Sequence, residues 1–273
     1  MATNGSGIFK MKIIAEVGSN WHTLSDILMS IKTAKEVGAD AVKFQLFSNK
    51  EMYLDVPDAK IGRSPYLDHT WLATMDKYAR EVGIELMCTA FSAPGYTYVD
   101  KFVDTHKIAS AEITDFNILK KVNSFKKPVY LSTGGAGIIQ IRHALEFLKA
   151  CRVTIMYCVT EYPARVVDFR HVDKLVGIFK RGYDYGYSDH SIDVLIIPRL
   201  AKYHGCNVIE KHVNFTDHKD TDDALHSLST RDFALMVKSI HGDHIFLEET
   251  HVACPWQRKA HDVDGETNFF RTK

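Results

Sequence analysis

The sequence predicts a single α/β domain, a (β/α)₈ (TIM) barrel, on three observations. Short apolar, strand-like runs alternate eight times with amphipathic helical patterns over residues 12–248, which favours a closed parallel barrel over an open doubly wound sheet. No GxGxxG follows the first strand, which argues against a dinucleotide-binding fold. Three segments repeat a helix end, a glycine and an apolar run: AKEVGADAVKFQ (34–45), AREVGIELMCTA (79–90) and AKYHGCNVIEKH (201–212).

Each predicted strand is a short run rich in Val, Ile, Phe or Met, as expected for a strand buried on both faces. The glycine before it suits a helix end, because the terminating residue often takes a left-handed conformation that a Cβ would penalise. In chain order the predicted strands are 12–18, 41–47, 84–90, 105–110, 128–133, 152–159, 184–189 and 208–214.

The helical patterns fill the intervals between these strands. The clearest spans 24–37, where Leu24, Ile27 and Ile31 lie on one helix face. Residues 1–11 are predicted to be an N-terminal extension and 249–273 an irregular tail laid over the barrel. The weaker helical patterns cover about 68–82, 94–103, 116–124, 137–149, 168–180, 192–204 and 230–247.

Composition argues against several classes of function. Lys+Arg and Asp+Glu are balanced at 34 each, so no global basic field attracts nucleic acid or an anionic membrane. No apolar run reaches the roughly 18 residues of a membrane span, and the N-terminus lacks a signal-peptide core. The five scattered cysteines form no CxxC, which suits a reducing compartment. We therefore expect a cytoplasmic protein without nucleic-acid or membrane partners.

Reactive side chains collect where the predicted strands end, which is where TIM barrels build active sites. Lys43 and Gln45 stand five and seven residues after Gly38, and Glu210 and His212 stand five and seven after Gly205. Alternate strand residues share a face, so both pairs can point into the barrel. The full set of such residues is Glu16, Lys43, Gln45, Thr89, Lys107, Ser110, Ser132, Thr133, Thr160, Ser188, Asp189, His190, Glu210, Lys211 and His212.

Two of these residues, Lys43 and Lys107, predict an anion site. Either lysine alone would be interpreted as a solvent-exposed lysine at a strand end. Both lysines together with nearby hydroxyls favour binding of phosphate or carboxylate oxygens. The turn STGGAG (132–137) adds backbone N–H groups ahead of a helix, a weak signal by itself. The hydroxyls belong to Thr89, Ser110, Ser132 and Ser188.

His190 and His212 predict a metal site when taken as a pair. Each alone favours a structural role, but on adjacent strand ends beside Asp189 and Glu210 they suit a divalent metal that keeps open positions. Asp189 is favoured as a residue that orients a histidine over a direct ligand. No role is assigned to the histidines on helical or loop patterns, including His69, His143, His171 and His241.

Eight motifs together show a resemblance to a known family. IAEVGSN, GADAVKFQ, CTAFS, KIASAE, LSTGGA, CVTEYPA, GYSDHS and VIEKHVNF resemble, in order and spacing, the N-acetylneuraminate (sialic acid) synthases, whose members also make other nonulosonic acids. The resemblance covers about residues 12–240. It implies a TIM barrel that condenses phosphoenolpyruvate with an N-acyl hexosamine such as N-acetylmannosamine and releases phosphate.

The resemblance also implies site residues. A metal, Mn²⁺ or Mg²⁺, is expected on His190 and His212, with Glu16 and Glu112 beside the reacting carbons and Asp223 at the proton of the sugar oxygen. Lys107 and Glu112 differ in strand parity, so the chain must leave strand geometry between them for both to face the site. Substrate contacts are expected from Lys43, Gln45, Thr89, Lys107, Ser110, Ser132, Thr160, Tyr162, Ser188 and Glu210.

The sequence departs from the family pattern in three places. NWHT (20–23) stands where the family has NHNG, and Thr160 replaces an asparagine. The family's C-terminal antifreeze-like domain, which swaps across a dimer and brings an arginine to the sugar site, is not expected here. A homodimer, if formed, is then not of the swapped kind. Arg258 or Arg271 of the tail are candidates to replace that arginine.

Two alternatives stay open at the level of sequence. One is a metal-dependent aldolase or lyase that uses pyruvate, against which the phosphate-suited cluster argues. The other is a non-catalytic barrel that binds a ligand, against which the retention of both histidines, both lysines and three carboxylates argues.

Overall fold

A computed structural model describes residues 10–48, 66–180 and 182–242. Eight parallel strands follow one another in order, and the last also pairs with the first, which closes the barrel and confirms the predicted fold. The predicted extension and tail, with Cys254, Arg258 and Arg271, lie outside the described ranges apart from Lys10 and Met11. The strands are Lys12–Gly18 (β1), Ala41–Leu46 (β2), Glu85–Ala90 (β3), His106–Ile108 (β4), Val129–Ser132 (β5), Val153–Cys158 (β6), Asp184–Asp189 (β7) and Val208–Asn214 (β8).

One helix follows each strand, and side-chain hydrogen bonds cap the start of several of them. Thr23 and Asp26 form a capping box at the first helix, and Asp115 accepts from the N–H groups of Asn117 and Ile118 at the fourth. A two-residue strand, Leu228–Ser229 (β9), pairs with β8 before the last helix. The helices are Leu24–Glu36 (α1), Leu72–Val82 (α2), Ala93–Val99 (α3), Phe116–Phe125 (α4), Ile138–Phe147 (α5), Arg170–Phe179 (α6), Ile196–Tyr203 (α7) and Thr230–His241 (α8).

The repeated glycine marks a left-handed turn in all three segments. Gly38, Gly83 and Gly205 have φ angles of 91°, 74° and 79°, a conformation in which a Cβ is penalised. Each glycine ends one helix and lets the chain enter the next strand, so the prediction from the repeat is confirmed.

Apolar side chains form two separate layers. The larger lies between the strands and the helices and includes Ile13, Val42 and Phe44 of the strands with Ile27 and Ile31 of α1. A smaller cluster comes from the opposite faces of six strands and fills the barrel interior: Ile14, Ala41, Met87, Tyr130, Met156 and Val208. Along those strands, the residues two positions further on are mostly polar, so the interior changes from apolar to charged toward the C-terminal strand ends.

None of the helices within the described ranges is both long and apolar enough to cross a bilayer.

Candidate active site

A cavity of about 390 Å³ opens at the C-terminal ends of the barrel strands. This volume is in the range of sites for small molecules, roughly 300–1,000 Å³. Ser19, Phe47, Phe91 and Asp222 also line it. Of the residues expected to act in catalysis, substrate binding or metal binding, its lining contains all but one: Glu16, Lys43, Gln45, Thr89, Lys107, Ser110, Ser132, Thr160, Tyr162, Ser188, His190, Glu210, His212 and Asp223.

The residue that does not line the cavity is Glu112. After Ile108 the chain leaves strand geometry, as the parity argument required, and enters a 3₁₀ turn at Ser110–Glu112. With three residues per turn, Ser110 and Ala111 reach the cavity and Glu112 does not. Glu112 is buried close to Tyr96 instead. The pKa of the Tyr96 phenol is raised mainly because Tyr96 is buried, and the charge of Glu112 raises it further. This position differs from the expected one beside the reacting carbons.

Two lysines and two glutamates form the charged floor of the cavity. Lys43 Nζ lies 2.7 Å from Glu16 Oε2 and 3.6 Å from Glu210 Oε2, and it donates to Thr89 Oγ1 at 3.1 Å. Lys107 Nζ lies 3.5 Å from Glu210 Oε1, which accepts from Ser188 Oγ at 2.9 Å. All four charged side chains are at most 4 % exposed. Their interactions are therefore strong compared with those of surface ion pairs.

The two glutamates differ in proton affinity. Burial raises the pKa of Glu16 to about 7, and the opposing charge of Lys43 only partly offsets it. Burial also acts on Glu210, but Lys107 and Lys43 together lower the pKa of Glu210 to about 2. Near neutral pH Glu16 can therefore hold or release a proton while Glu210 stays ionised, and such a split separates an acid–base group from a fixed charge.

The glycine-rich turn contributes shape more than backbone donors. A Cβ on Gly134 would lie 2.6 Å from both Cys158 Sγ and Thr160 Cγ2, so only glycine fits there. The N–H of Gly134 donates to Ser110 Oγ, and the N–H of Gly137, which caps α5, donates to Gln140 Oε1. Ser132 Oγ, in contrast, is buried without a hydrogen-bond partner within the described part of the chain. A buried polar atom of this kind normally finds a partner, so Ser132 is the donor available to a ligand.

His190 presents one nitrogen to the cavity. Its Nδ1 lies 2.6 Å from the carbonyl oxygen of Val159, which can only accept, so Nδ1 carries the proton and Nε2 has the lone pair. Nε2 lies 3.2 Å from Tyr162 Oη and 3.3 Å from Ser188 Oγ. Burial lowers the pKa of His190 to about 4, so the ring is neutral at pH 7.

His212 faces His190 across the cavity, with ring centroids 5.8 Å apart. Burial lowers the pKa of His212 well below its ordinary value, and its Nδ1 is buried without a hydrogen-bond partner among the described residues. Neutral imidazoles with available lone pairs are the form in which histidine binds metals. The two histidines therefore fit a divalent metal.

The sequence analysis favoured Asp189 as a residue that orients a histidine, but in the structure it has other partners. Alternation places Ser188 and His190 inside the barrel, and Asp189 on the outer face of β7. There Asp189 Oδ2 accepts from Lys211 Nζ at 2.7 Å and Oδ1 from the Ser191 amide at 2.9 Å. Asp189 is therefore part of a buried ion pair behind the site.

Asp223 reaches the cavity from the loop after β8. Its Oδ2 accepts from the amide and the hydroxyl of Ser19, both at 2.7 Å. Gly18, at φ 57°, permits this approach, since a Cβ there would lie 2.2 Å from Asp223 Oδ2. The end of β1 therefore fixes Asp223 beside His212, whose Nδ1 is 3.9 Å from Oδ1.

The sequence analysis did not find His226. Its ring lies 4.6 Å from that of His212 and 4.9 Å from that of Tyr162, between centroids. His226 belongs to a 3₁₀ turn, Ala224–His226, so no strand periodicity marks it. The available signal was its position three residues after Asp223, in a segment already assigned to the site.

The closed barrel and its charged cavity define the molecule as a TIM-barrel enzyme. Residues 30–251 match the model of the NeuB family, and the chain belongs to that family. Relatives are named as synthases, so the chain is an enzyme of the condensing-synthase type.

Several relatives and solved structures resemble the chain over most of its length. The pseudaminic acid synthase of Helicobacter pylori is 29% identical, covering 84% of this chain and 73% of the relative. The N,N'-diacetyllegionaminic acid synthase of Campylobacter jejuni is 30% identical, covering 85% and 75%. The crystal structure of the N-acetylneuraminic acid (sialic acid) synthetase of Leptospira borgpetersenii has a TM-score of 0.79 at 25% identity, covering 89% of this chain and 88% of that one.

Proposed function

We propose that this chain condenses phosphoenolpyruvate with an open-chain aldose of the N-acyl hexosamine class, such as N-acetylmannosamine, in the presence of a divalent metal. The products are a nonulosonic acid and phosphate. The relatives named as pseudaminic and legionaminic acid synthases support this class of reaction. The observation that carries the proposal is a single cavity with two buried lysines at one side and two neutral, buried histidines at the other.

The lysine side suits phosphoenolpyruvate, which carries a phosphate and a carboxylate. Lys43 and Lys107 supply two positive charges in a region from which water is largely excluded, where charge pairing is strong. The hydroxyl of Ser132 offers a further donor that the described residues leave unused. Glu210, held ionised between both ammonium groups, fixes their positions before the anion binds.

The proposed reaction balances with water as the third reactant. C3 of phosphoenolpyruvate forms a bond to the aldehyde carbon, a water oxygen bonds to C2, and the bond between C2 and the phosphate oxygen breaks. Phosphate therefore leaves with the bridging oxygen. The metal supplies Lewis-acid polarisation of the aldehyde oxygen when it is bound.

Glu16 and Asp223 are the proposed proton-handling groups. Glu16, with its pKa of about 7, can take a proton from the water that attacks C2. Gln45 Nε2 donates to Glu16 Oε1 at 3.0 Å and orients that carboxyl group. Asp223 is proposed to exchange the proton of the sugar oxygen. Tyr162, with a half-exposed ring at the cavity edge, marks the side where the sugar enters.

The test is phosphate release from phosphoenolpyruvate in the presence of a panel of aldoses and Mn²⁺. We expect release that depends on the sugar, with ¹⁸O from the bridging position appearing in phosphate. Lys107→Met should abolish turnover, while Lys174→Met, an exposed lysine on α6, should leave it unchanged.

Two results would contradict the proposal. Release of pyruvate from an acid sugar without phosphate chemistry would identify an aldolase. Binding of phosphoenolpyruvate without turnover for any aldose tested would identify a non-catalytic barrel.

A further inference from the structure

A third histidine lies at the metal side of the cavity. His226 Nε2 is 3.2 Å from Asp223 Oδ1, and His212 Nδ1 is 3.9 Å from the same oxygen. One nitrogen of each ring and one oxygen of Asp223 lie within 4.8 Å of one another. Two imidazoles therefore converge on one carboxylate oxygen, a spacing suited to a shared cation.

Both imidazoles are buried and both have an unsatisfied nitrogen. The side chains of His212 and His226 are 7 % and 9 % exposed. His212 Nδ1 and His226 Nε2 make no hydrogen bond of acceptable geometry with any described residue. Buried polar atoms are almost always satisfied in native proteins. Two such nitrogens, which lie with one carboxylate oxygen within 4.8 Å of one another, indicate a ligand between them.

The carboxylate is held so that only one oxygen faces the rings. Ser19 donates to Asp223 Oδ2 twice, which leaves Oδ1 toward His212 and His226. Ser227 Oγ donates to the carbonyl oxygen of Asp223 at 2.7 Å and fixes the turn that carries His226. Hydrogen bonds that orient a carboxylate in this way are typical around metal ligands.

We propose that His226, with His212 and Asp223, ligates the metal of this cavity, and that this site therefore takes a first-row transition ion and not Mg²⁺. The inference rests on the proposed function, because it treats that metal as the one used in catalysis. Imidazole nitrogen suits Mn²⁺, Fe²⁺, Co²⁺ and Zn²⁺, whereas Mg²⁺ prefers oxygen ligands and retains its waters. The ring of His190 lies 5.8 Å from that of His212 between centroids, so a third imidazole is close to this set.

The experiment is direct metal titration of the metal-free protein by calorimetry. We expect one Mn²⁺ or Zn²⁺ per chain, and no displacement by millimolar Mg²⁺. His226→Ala and His226→Asn should each weaken binding about tenfold or more, the range seen when metal-site residues are lost. His143→Ala, an exposed histidine on α5, is the matched control and should bind as the parent does.

Two further measurements keep the test decisive. Pulsed EPR of the Mn²⁺-loaded parent should show nitrogen couplings that disappear in part in His226→Asn, and thermal unfolding of each metal-free variant checks its fold. If His226→Ala does not fold, His226→Asn decides, because nitrogen couplings unchanged from those of the parent contradict the inference. The partly exposed group His22, His218 and Asp220 is tested with His22→Gln, and loss of the tight site in that variant overturns the assignment.

Failure of the inference is distinct from failure of the proposed function. Unchanged metal affinity in both His226 variants, with normal phosphate release, overturns the inference alone. A metal site that depends on His226 in a protein that releases no phosphate supports the ligand assignment and contradicts the proposed reaction. Displacement of Mn²⁺ by Mg²⁺ at equal concentration contradicts the predicted selectivity.

Discussion

At the scale of single residues, Gly18 positions a carboxylate by having no side chain. We predict that Gly18→Ala displaces Asp223, because the new Cβ would lie 2.2 Å from Oδ2. The substitution also places alanine at a positive φ, which costs roughly 1–2 kcal/mol. Urea unfolding and the rate of phosphate release measure the two effects separately, and we expect turnover to fall at least tenfold.

Gly205→Ala is the control for this prediction. Gly205 has a φ of 79°, but a Cβ there meets no atom within 4 Å. The variant should therefore show the conformational strain alone and keep the activity of the parent. Equal loss of turnover in both variants would contradict the role given to the Gly18–Asp223 contact.

Ser132 and Ser30 allow a second comparison, because each has a buried hydroxyl without a hydrogen-bond partner among the described residues. Ser132 lines the cavity and Ser30 lies in α1. We predict that Ser132→Ala raises the KM for phosphoenolpyruvate about tenfold or more, since a hydrogen bond to a charged group contributes about 1.5–3 kcal/mol. Ser30→Ala should leave KM unchanged, and steady-state kinetics at saturating sugar would decide.

At the scale of elements, the buried pair Asp189–Lys211 joins β7 to β8 behind the cavity. Lys211 Nζ also donates to Ser191 Oγ, so the pair fixes the start of the following loop. Lys211→Met leaves a buried carboxylate without its counter-charge, and we predict a loss of about 3–5 kcal/mol in the free energy of unfolding. The measurement is urea unfolding of the metal-free protein.

The double variant Asp189→Asn/Lys211→Met tests the cause. It removes both charges, so it should be more stable than Lys211→Met alone. Two results would contradict the role of this ion pair in stability: a loss in the free energy of unfolding below about 1 kcal/mol in Lys211→Met, or a larger loss in the double variant than in Lys211→Met.

The elements themselves were predictable because short apolar runs and helix-ending glycines are local signals. All eight strands lie where the sequence predicted them, with small shifts at their ends. The alternation within β7 and β8 correctly assigned Ser188, His190, Glu210 and His212 to the interior. Successive side chains of a strand always point to opposite faces, so the face of each residue can be predicted once the strand is located in the sequence.

The features that the sequence did not predict lie in turns and loops, where the alternation of side chains along a strand no longer applies. Helix α7 begins at Ile196, later than predicted, because Asp193 Oδ1 accepts from the backbone amides at its start, those of Leu195, Ile196 and Ile197. Glu112 turns away from the cavity because β4 ends early and a 3₁₀ turn follows. The position of His226 depends on the loop after β8, which one-dimensional patterns do not specify.

At the scale of the whole molecule, the residues that stabilise the barrel and the residues that form the cavity lie at different levels of the same strands. The apolar cluster inside the barrel comes from residues early in the strands, and the charged cavity comes from residues near their ends. Burying Glu16, Lys43 and Glu210 is unfavourable unless they are paired, and the packed layers on both sides of the strands offset that cost. Strained or charged residues can therefore collect at one end of the barrel without loss of the fold.

Metal removal should be visible as a change in global stability, because the proposed ligands lie where the barrel closes. His190 follows β7, His212 lies on β8, and β8 pairs with β1 to complete the sheet. A ligand at 100 times its dissociation constant stabilises the folded state by about 2.7 kcal/mol, which corresponds to a rise in Tm of about 5–11 °C for a domain of this size. We predict such a rise when Mn²⁺ is added to protein stripped with EDTA, measured by calorimetry. The variant His190→Ala/His212→Ala should show no rise, and an unchanged Tm in the parent would contradict the metal assignment.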